Sequence, residues 1–203
     1  GSDHIILATA NGMAVRFKET DVRSMGRGSR GVRGISLNDG DQVVGTVVVD
    51  CESTEDLLSI TANGYGKRTA LSEYRIQRRA GKGLITIQCS KRNGDLVGIL
   101  AASDDRELLM VTSAGIIMRT RMEQISRIGR NTQGVRLIDL GKGITVVRAV
   151  GLKDLEEEIE EAQHEGLDEA GEEVDEAAIA AAEAAGSHED DASEVPQDVT
   201  EDD

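Results

Sequence analysis

The apolar residues of this chain come in short runs rich in Val, Ile and Leu, separated by Gly, Asn and Asp. The run at 5–9 is followed by Ala10-Asn11-Gly12 and a second run at 13–17, and the segments at 57–61 and 65–69 flank Asn63-Gly64 in the same way. Short runs bounded by such residues are typical of β-strands, and Asn-Gly supplies the positive φ angles of a tight type I′ hairpin. We therefore predict a β-hairpin at each of these places.

The hairpin pattern occurs three times along the chain. Gly12, Gly64 and Gly115 lie at the same point of the turn, at intervals of 52 and 51 residues, and an arginine follows each of them four residues later. Nineteen residues after each turn glycine a second shared segment begins, also with glycine, at 31–35, 83–87 and 134–138. Two marks that keep the same spacing indicate a structural repeat whose units pack on their neighbours to complete a core.

Each repeat contains a second predicted strand pair after its hairpin. These pairs are 31–37 with 42–49, 83–89 with 96–101, and 134–140 with 144–150. Between hairpin and second pair the sequence favours one helical turn at most. Four short strands per repeat are the content of a propeller blade. We therefore predict an all-β, propeller-like body at 1–153, made of about three four-stranded blades at 4–50, 56–103 and 106–152.

Charge divides the chain into two parts. All 23 Lys and Arg lie at or before Lys153, whereas only 16 of the 38 acidic residues do. The first 153 residues thus carry a formal charge of +7 and residues 154–203 carry −22, so the net charge of −15 describes neither part. Because the last segment has few apolar groups and many like charges, we predict an acidic, mostly disordered C-terminal tail at 154–203.

The positive charge of the body is concentrated at one equivalent position of each repeat. The windows 22–38, 74–94 and 124–138 contain no acidic residue and hold 13 of the 23 basic residues. Interleaved glycines let the backbone approach a phosphate closely. The threefold recurrence favours a basic rim for duplex DNA, which presents a regular path of phosphates, over a set of solvated turns. The predicted DNA-binding residues are Arg23, Arg27, Arg30 and Arg33; Arg75, Arg78, Arg79 and Lys82; and Arg127, Arg130 and Arg136.

Base readout and catalysis are not indicated. There is no predicted helix to enter a major groove, and two Tyr and one Phe are too few to stack on single-stranded bases or to build an aromatic protein-binding surface. The segment 26–31 has the spelling of a dinucleotide-binding fingerprint, but a strand-like segment follows it where a helix is required. Three scattered histidines fit neither a metal site nor a catalytic triad. We expect no catalytic residue, metal or cofactor in this chain, and no membrane span.

The segments 15–19 with 31–35, 63–69 and 129–135 strongly resemble the C-terminal domain of the A protein of bacterial DNA gyrase. The resemblance covers nearly the whole body. It implies a β-pinwheel, a propeller-like disc of six blades whose neighbours exchange strands, and the three blades here look like the last three. A further segment is similar to the seven-residue box of that family, with alanine in place of one glycine; it comprises Gln77, Arg78, Arg79, Ala80, Gly81, Lys82 and Gly83.

The resemblance also implies a function. In this family the rim wraps duplex DNA so that ATP-dependent strand passage by the whole DNA gyrase introduces negative supercoils. The chain would then be a non-catalytic part of a type II topoisomerase, with ATP and magnesium acting elsewhere in the enzyme. Its partners would be duplex DNA, the rest of the gyrase A protein and the gyrase B protein, and its location the bacterial cytoplasm, on the chromosome. The equivalent domain of topoisomerase IV and a propeller that binds protein partners remain alternatives.

The tail has two interpretations. A charge of −22 tethered beside a +7 rim predicts an autoinhibitory segment that competes with DNA at high effective concentration. The alternative is a solubilising end with no effect on binding.

Overall fold

The computed structural model describes residues 1–153; the predicted tail at 154–203 lies outside the described residues. The described part contains strands and three one-turn 3-10 helices, at Glu19–Asp21, Leu71–Glu73 and Met122–Gln124, which confirms the all-β prediction. The strands are β1 (His4–Thr9), β2 (Met13–Lys18), β3 (Val43–Val49), β4 (Asp56–Thr61), β5 (Tyr65–Ala70), β6 (Leu84–Ile85), β7 (Leu96–Ala102), β8 (Arg106–Thr112), β9 (Ile117–Arg121), β10 (Val135–Arg136) and β11 (Val146–Lys153).

The strands pair antiparallel in three sheets, each built around one of the predicted hairpins. The strand orders are β3-β1-β2-β6, β10-β5-β4-β7 and β11-β8-β9. Within the described residues, two sheets therefore have the expected four strands and the third has three.

The fourth strand of each four-stranded sheet comes from the next repeat. Leu84 of β6 pairs with Ala14 of β2, and Val135 of β10 pairs with Gly66 of β5. The backbone N–H of Leu137 also donates to the carbonyl oxygen of Gly64 at 2.8 Å, next to the turn. Neighbouring repeats are thus joined by exchanged strands, as the resemblance implies.

The predicted strand at 31–37 is wrong. These residues form no strand in the structure, and of the equivalent segments only Leu84–Ile85 and Val135–Arg136 are strands. Each of those two strands exists by pairing with the repeat before it, and the first repeat follows no other repeat in this sequence. Ile35 is nevertheless buried, against Val15 and Phe17 of β2 in its own repeat.

The hairpin turns are not of type I′. Gly12, Gly64 and Gly115 have φ of 78°, 77° and 76°, but Ala80 is the only non-glycine residue with positive φ in the described chain, so neither Asn11 nor Asn63 has one. The geometry is a type I turn followed by a left-handed glycine. A Cβ on Gly12 would lie 2.2 Å from the carbonyl oxygen of Ile87. The turn glycine therefore also admits the backbone of the next repeat.

The two largest hydrophobic clusters lie between consecutive repeats. One cluster joins Ile6 and Val47 of the first repeat to Leu57 and Tyr74 of the second. The next cluster joins residues of the second and third repeats, among them Leu58, Ile60, Leu108 and Met110. A single repeat cannot complete either cluster, which is the packing expected of a repeat protein.

In the first two repeats, the arginine that follows the turn glycine ties its repeat to the next. Arg16 is buried and donates to the carbonyl oxygen of Leu71 and to Nδ1 of His4, both at 2.9 Å. Arg68 donates to the carbonyl oxygen of Ile125 at 3.0 Å. Arg119, at the same place in the third repeat, pairs with Glu107 of its own sheet. Arg16 and Arg68 thus mark the repeat because their side chains join it to the next repeat.

Candidate nucleic-acid interface

The first basic window and the box segment lie side by side. The N–H of Ala80 donates to the carbonyl oxygen of Gly34 at 2.7 Å, and the N–H of Ser36 donates to that of Gly81 at 2.9 Å. The Arg79 side chain crosses between the two segments and donates to the carbonyl oxygens of Asp21 and Arg33. Residues 22–38 and 75–83 therefore form one structural unit, which we call the first corner.

Most predicted DNA-binding residues of the first corner carry unpaired charge. Arg79 is partly buried, whereas the others are exposed and make no ion pair with a carboxylate of the described chain. Those exposed residues are Arg23, Arg27, Arg30, Arg33, Arg75, Arg78 and Lys82. Free guanidinium and ammonium groups in this arrangement are suited to charge-assisted hydrogen bonds with phosphate oxygens.

The backbone of the first corner is open to close approach. At Gly26, Gly28 and Gly31 an added Cβ would meet no atom within 4 Å. The three glycines alternate with Arg27 and Arg30, so open stretches of backbone lie between the cationic side chains. Backbone N–H groups beside guanidinium groups are a common way to hold a phosphate.

The third basic window, residues 124–138, which we call the second corner, is different because other segments bring acids to it. Arg127 pairs with the buried Asp56 at 2.8 Å, and the backbone N–H of Arg130 donates to Glu73 at 3.1 Å. Arg136 pairs with Asp139 at 2.9 Å. The absence of acids from this window in the sequence therefore does not carry over to its surroundings, and its cations are partly compensated.

A buried lysine that the sequence patterns did not single out anchors the second corner. Lys67 is fully buried in β5, and its ammonium group donates to the carbonyl oxygens of Gly129 and Arg130 and, at 3.1 Å, to Oγ1 of Thr132. Burial lowers its pKa to about 8. Alignment of the repeats could have identified it. Three residues after the turn glycine, the first and third repeats have the apolar residues Val15 and Met118, whereas the second has Lys67.

Among residues 1–153 there is no group of three or more His, Cys, Asp and Glu arranged to hold a metal ion. Within the same residues no helix is long and apolar enough to cross a membrane.

Comparisons with known proteins agree on one family. A family model described as the DNA gyrase C-terminal domain, beta-propeller, matches residues 3–50, 55–103 and 106–150. The DNA gyrase A protein of Staphylococcus epidermidis is 47% identical over 143 residues, which are 70% of this chain and 16% of that protein. The DNA gyrase A protein of Escherichia coli is 47% identical over 147 residues, 72% of this chain and 17% of that protein. The chain thus spans about a sixth of the length of these relatives.

Solved structures agree with the fold. A DNA gyrase A C-terminal domain is 30% identical with a TM-score of 0.69, over 74% of this chain and 51% of that one. The C-terminal domain of a DNA topoisomerase IV has a TM-score of 0.74, over 82% of this chain and 52% of that one. At 24% identity, the second likeness concerns the fold alone.

Proposed function

Because this chain belongs to the DNA gyrase C-terminal domain family, we propose that it binds and bends duplex DNA by phosphate contacts, as the C-terminal module of a gyrase A protein. The observation that carries the proposal is the first corner, where seven exposed cations from two repeats have no carboxylate partner in the described chain. Such a site recognises the DNA backbone without regard to base sequence.

The corners also give a path for bending. Successive repeats place equivalent basic segments at the junctions between sheets, and exchanged strands fix each junction to the next. We propose that a duplex bound along two or more junctions curves, and that the energy of bending is offset by the additional phosphate contacts. We propose that the first corner contributes most of the contacts and that the paired cations of the second corner contribute less.

The role in the whole enzyme is part of the same proposal. Bending by this module would support the introduction of negative supercoils by an ATP-dependent type II topoisomerase. The module would not itself catalyse, and ATP and magnesium would act in other parts of the enzyme formed by the gyrase A and B proteins. The enzyme would work in the bacterial cytoplasm on the chromosome.

Salt dependence of DNA binding tests the proposal. For the full chain, the logarithm of the binding constant for a duplex should fall linearly with the logarithm of salt concentration, by about 0.9 for each phosphate contact. The double substitution Arg78→Gln with Lys82→Gln should lower that slope by up to about 1.8, whereas Arg127→Gln should change it little. Ligation of nicked circles in the presence of the protein should shift the topoisomer distribution if the bound DNA is bent into a writhe. Equal slopes for all three proteins would contradict the proposal.

A further inference from the structure

A second basic cluster lies away from the first corner, in an open cavity of about 240 Å³ between the second and third repeats. It consists of Tyr65 of β5, Arg92 from the turn before β7, and Arg136 of β10. Arg92 and Tyr65 are not among the predicted DNA-binding residues, and neither belongs to the first or the second corner.

Both arginines face one phenol group. The guanidinium carbon of Arg92 is 5.1 Å from the centroid of the Tyr65 ring, and that of Arg136 is 5.8 Å from it. Nε of Arg92 lies 3.5 Å from the Tyr65 hydroxyl oxygen, and Nη2 of Arg136 lies 3.4 Å from it. Two positive groups are thus held close together around a single neutral oxygen.

The positive charge of the cluster exceeds the negative charge around it. Asp139 is the one carboxylate among the described residues that line the cavity, and it pairs with Arg136 while remaining largely exposed. Arg92 makes no ion pair with the described residues. The hydrogen bonds from Arg92 and then Arg136 lower the pKa of Tyr65, so the cluster favours negative charge at this position.

Amide side chains hold the cluster in place before any ligand arrives. Asn93 is fully buried; its amide nitrogen donates to the carbonyl oxygens of Gln88 and Gln133, and its amide oxygen accepts from Ser90. The amide of Asn63 donates to the carbonyl oxygen of Arg92 at 3.1 Å. On the other side, Arg136 is fixed opposite Tyr65 by the pairing of β10 with β5.

We propose that Arg92, Arg136 and the hydroxyl group of Tyr65 form a phosphate-binding site that joins the second and third repeats. A phosphate oxygen would accept hydrogen bonds from both guanidinium groups and from the phenol, and its charge would compensate the unpaired Arg92. Gly141 and Gly143 line the same cavity and bring no side chain into it. We expect the bound group to be a backbone phosphate of duplex DNA, and this assignment rests on the proposed function. The alternative occupant is free phosphate.

Tyrosine fluorescence gives a direct test. The chain has two Tyr and no Trp, so the Tyr74→Phe variant reports on Tyr65 alone. Titration of this variant with inorganic phosphate, at constant ionic strength set with chloride, should change the emission in a saturable way. The change should vanish when Arg92→Gln and Arg136→Gln are added, with the melting temperature checked to confirm folding.

Duplex binding distinguishes the two sources. In the full chain, the Arg92→Gln, Arg136→Gln double variant should lower the salt slope by about 0.9, the value for one phosphate contact. The control is Arg121→Gln with Arg148→Gln, which removes two exposed charges of the third repeat outside the cavity and should leave the slope unchanged. A saturable fluorescence change with an unchanged slope would support a phosphate site filled by free phosphate. If phosphate does not change the fluorescence and the Arg92→Gln, Arg136→Gln variant keeps the parent salt slope, the proposed phosphate site is wrong. The proposed function would still stand if Arg78→Gln with Lys82→Gln lowers the slope.

Discussion

Single residues decide how the box segment is shaped. Ala80 has φ of 67°, a left-handed conformation that costs an alanine roughly 1 kcal/mol and a glycine almost nothing. The gyrase box, as the resemblance gives it, has glycine at this position. The conformation is kept in this chain because the Ala80 N–H donates to Gly34 and its carbonyl oxygen accepts from Ser36, so the first corner holds it on both sides.

The burial of Lys67 should make the stability of the fold rise with pH. Burial lowers its pKa in the folded chain to about 8, from an ordinary value of 10.5. Between those values the unfolded chain binds a proton that the folded chain does not, so this residue makes stability rise with pH across that interval, by up to about 3 kcal/mol. We expect the free energy of unfolding of the parent to increase from about pH 7.5 to about pH 10 relative to that of Lys67→Met. Urea denaturation at a series of pH values measures this difference.

Lys67→Met is the matched control because methionine is the residue at the equivalent position of the third repeat, Met118. Other titrating groups are common to both proteins and cancel in the difference. Parallel pH curves for the two proteins would contradict a buried, charged lysine at this place.

At the scale of elements, the exchanged strands should be the most sensitive point of the fold. Gly83, just before β6, has φ of 81°, and a Cβ there would lie 2.5 Å from the carbonyl oxygen of Ala14. Gly31, its equivalent in the first repeat, has φ of 76° but no atom within 4 Å of an added Cβ. Gly31→Ala should therefore cost at most about 1 kcal/mol, the conformational penalty alone. Gly83→Ala adds a backbone clash and should cost about 3 kcal/mol or more, measured by urea denaturation.

The two alanine variants have the same change of composition and nearly the same backbone angle, so their difference isolates the contact between repeats. Similar losses of stability for both would mean that β6 does not hold the first two sheets together.

The sequence predicts the central hairpins of the fold but not all of the strand pairing between repeats. Short apolar runs and turn residues are enough to find the central hairpins, because the two strands of each are joined by a short turn. They do not determine which repeat a later strand joins. The segments at 31–37 and 83–89 look alike in sequence, yet in this sequence only the second follows another repeat with whose hairpin it can pair. In the same way, the second corner is free of acids in sequence, but Asp56 and Glu73 reach it from the preceding repeat. The sequence therefore locates the basic residues but does not show which of them are paired with carboxylates.

At the scale of the whole molecule, the distribution of charge makes a prediction about the last fifty residues. The chain through residue 153 carries +7 and the remainder carries −22, so an intact chain is net negative although its proposed DNA-binding corners are positive. A tethered anionic segment competes with DNA at an effective concentration set by the tether, and this competition weakens as salt screens both interactions. Deletion of 154–203 should therefore increase duplex affinity at low salt, with a smaller gain at high salt and an unchanged melting temperature.

The matched control is a tail of the same length with Asp and Glu replaced by Asn and Gln, which should bind as the truncated chain does. Equal affinities for the intact, truncated and neutralised chains at fixed low salt would show that the tail is a solubilising end only.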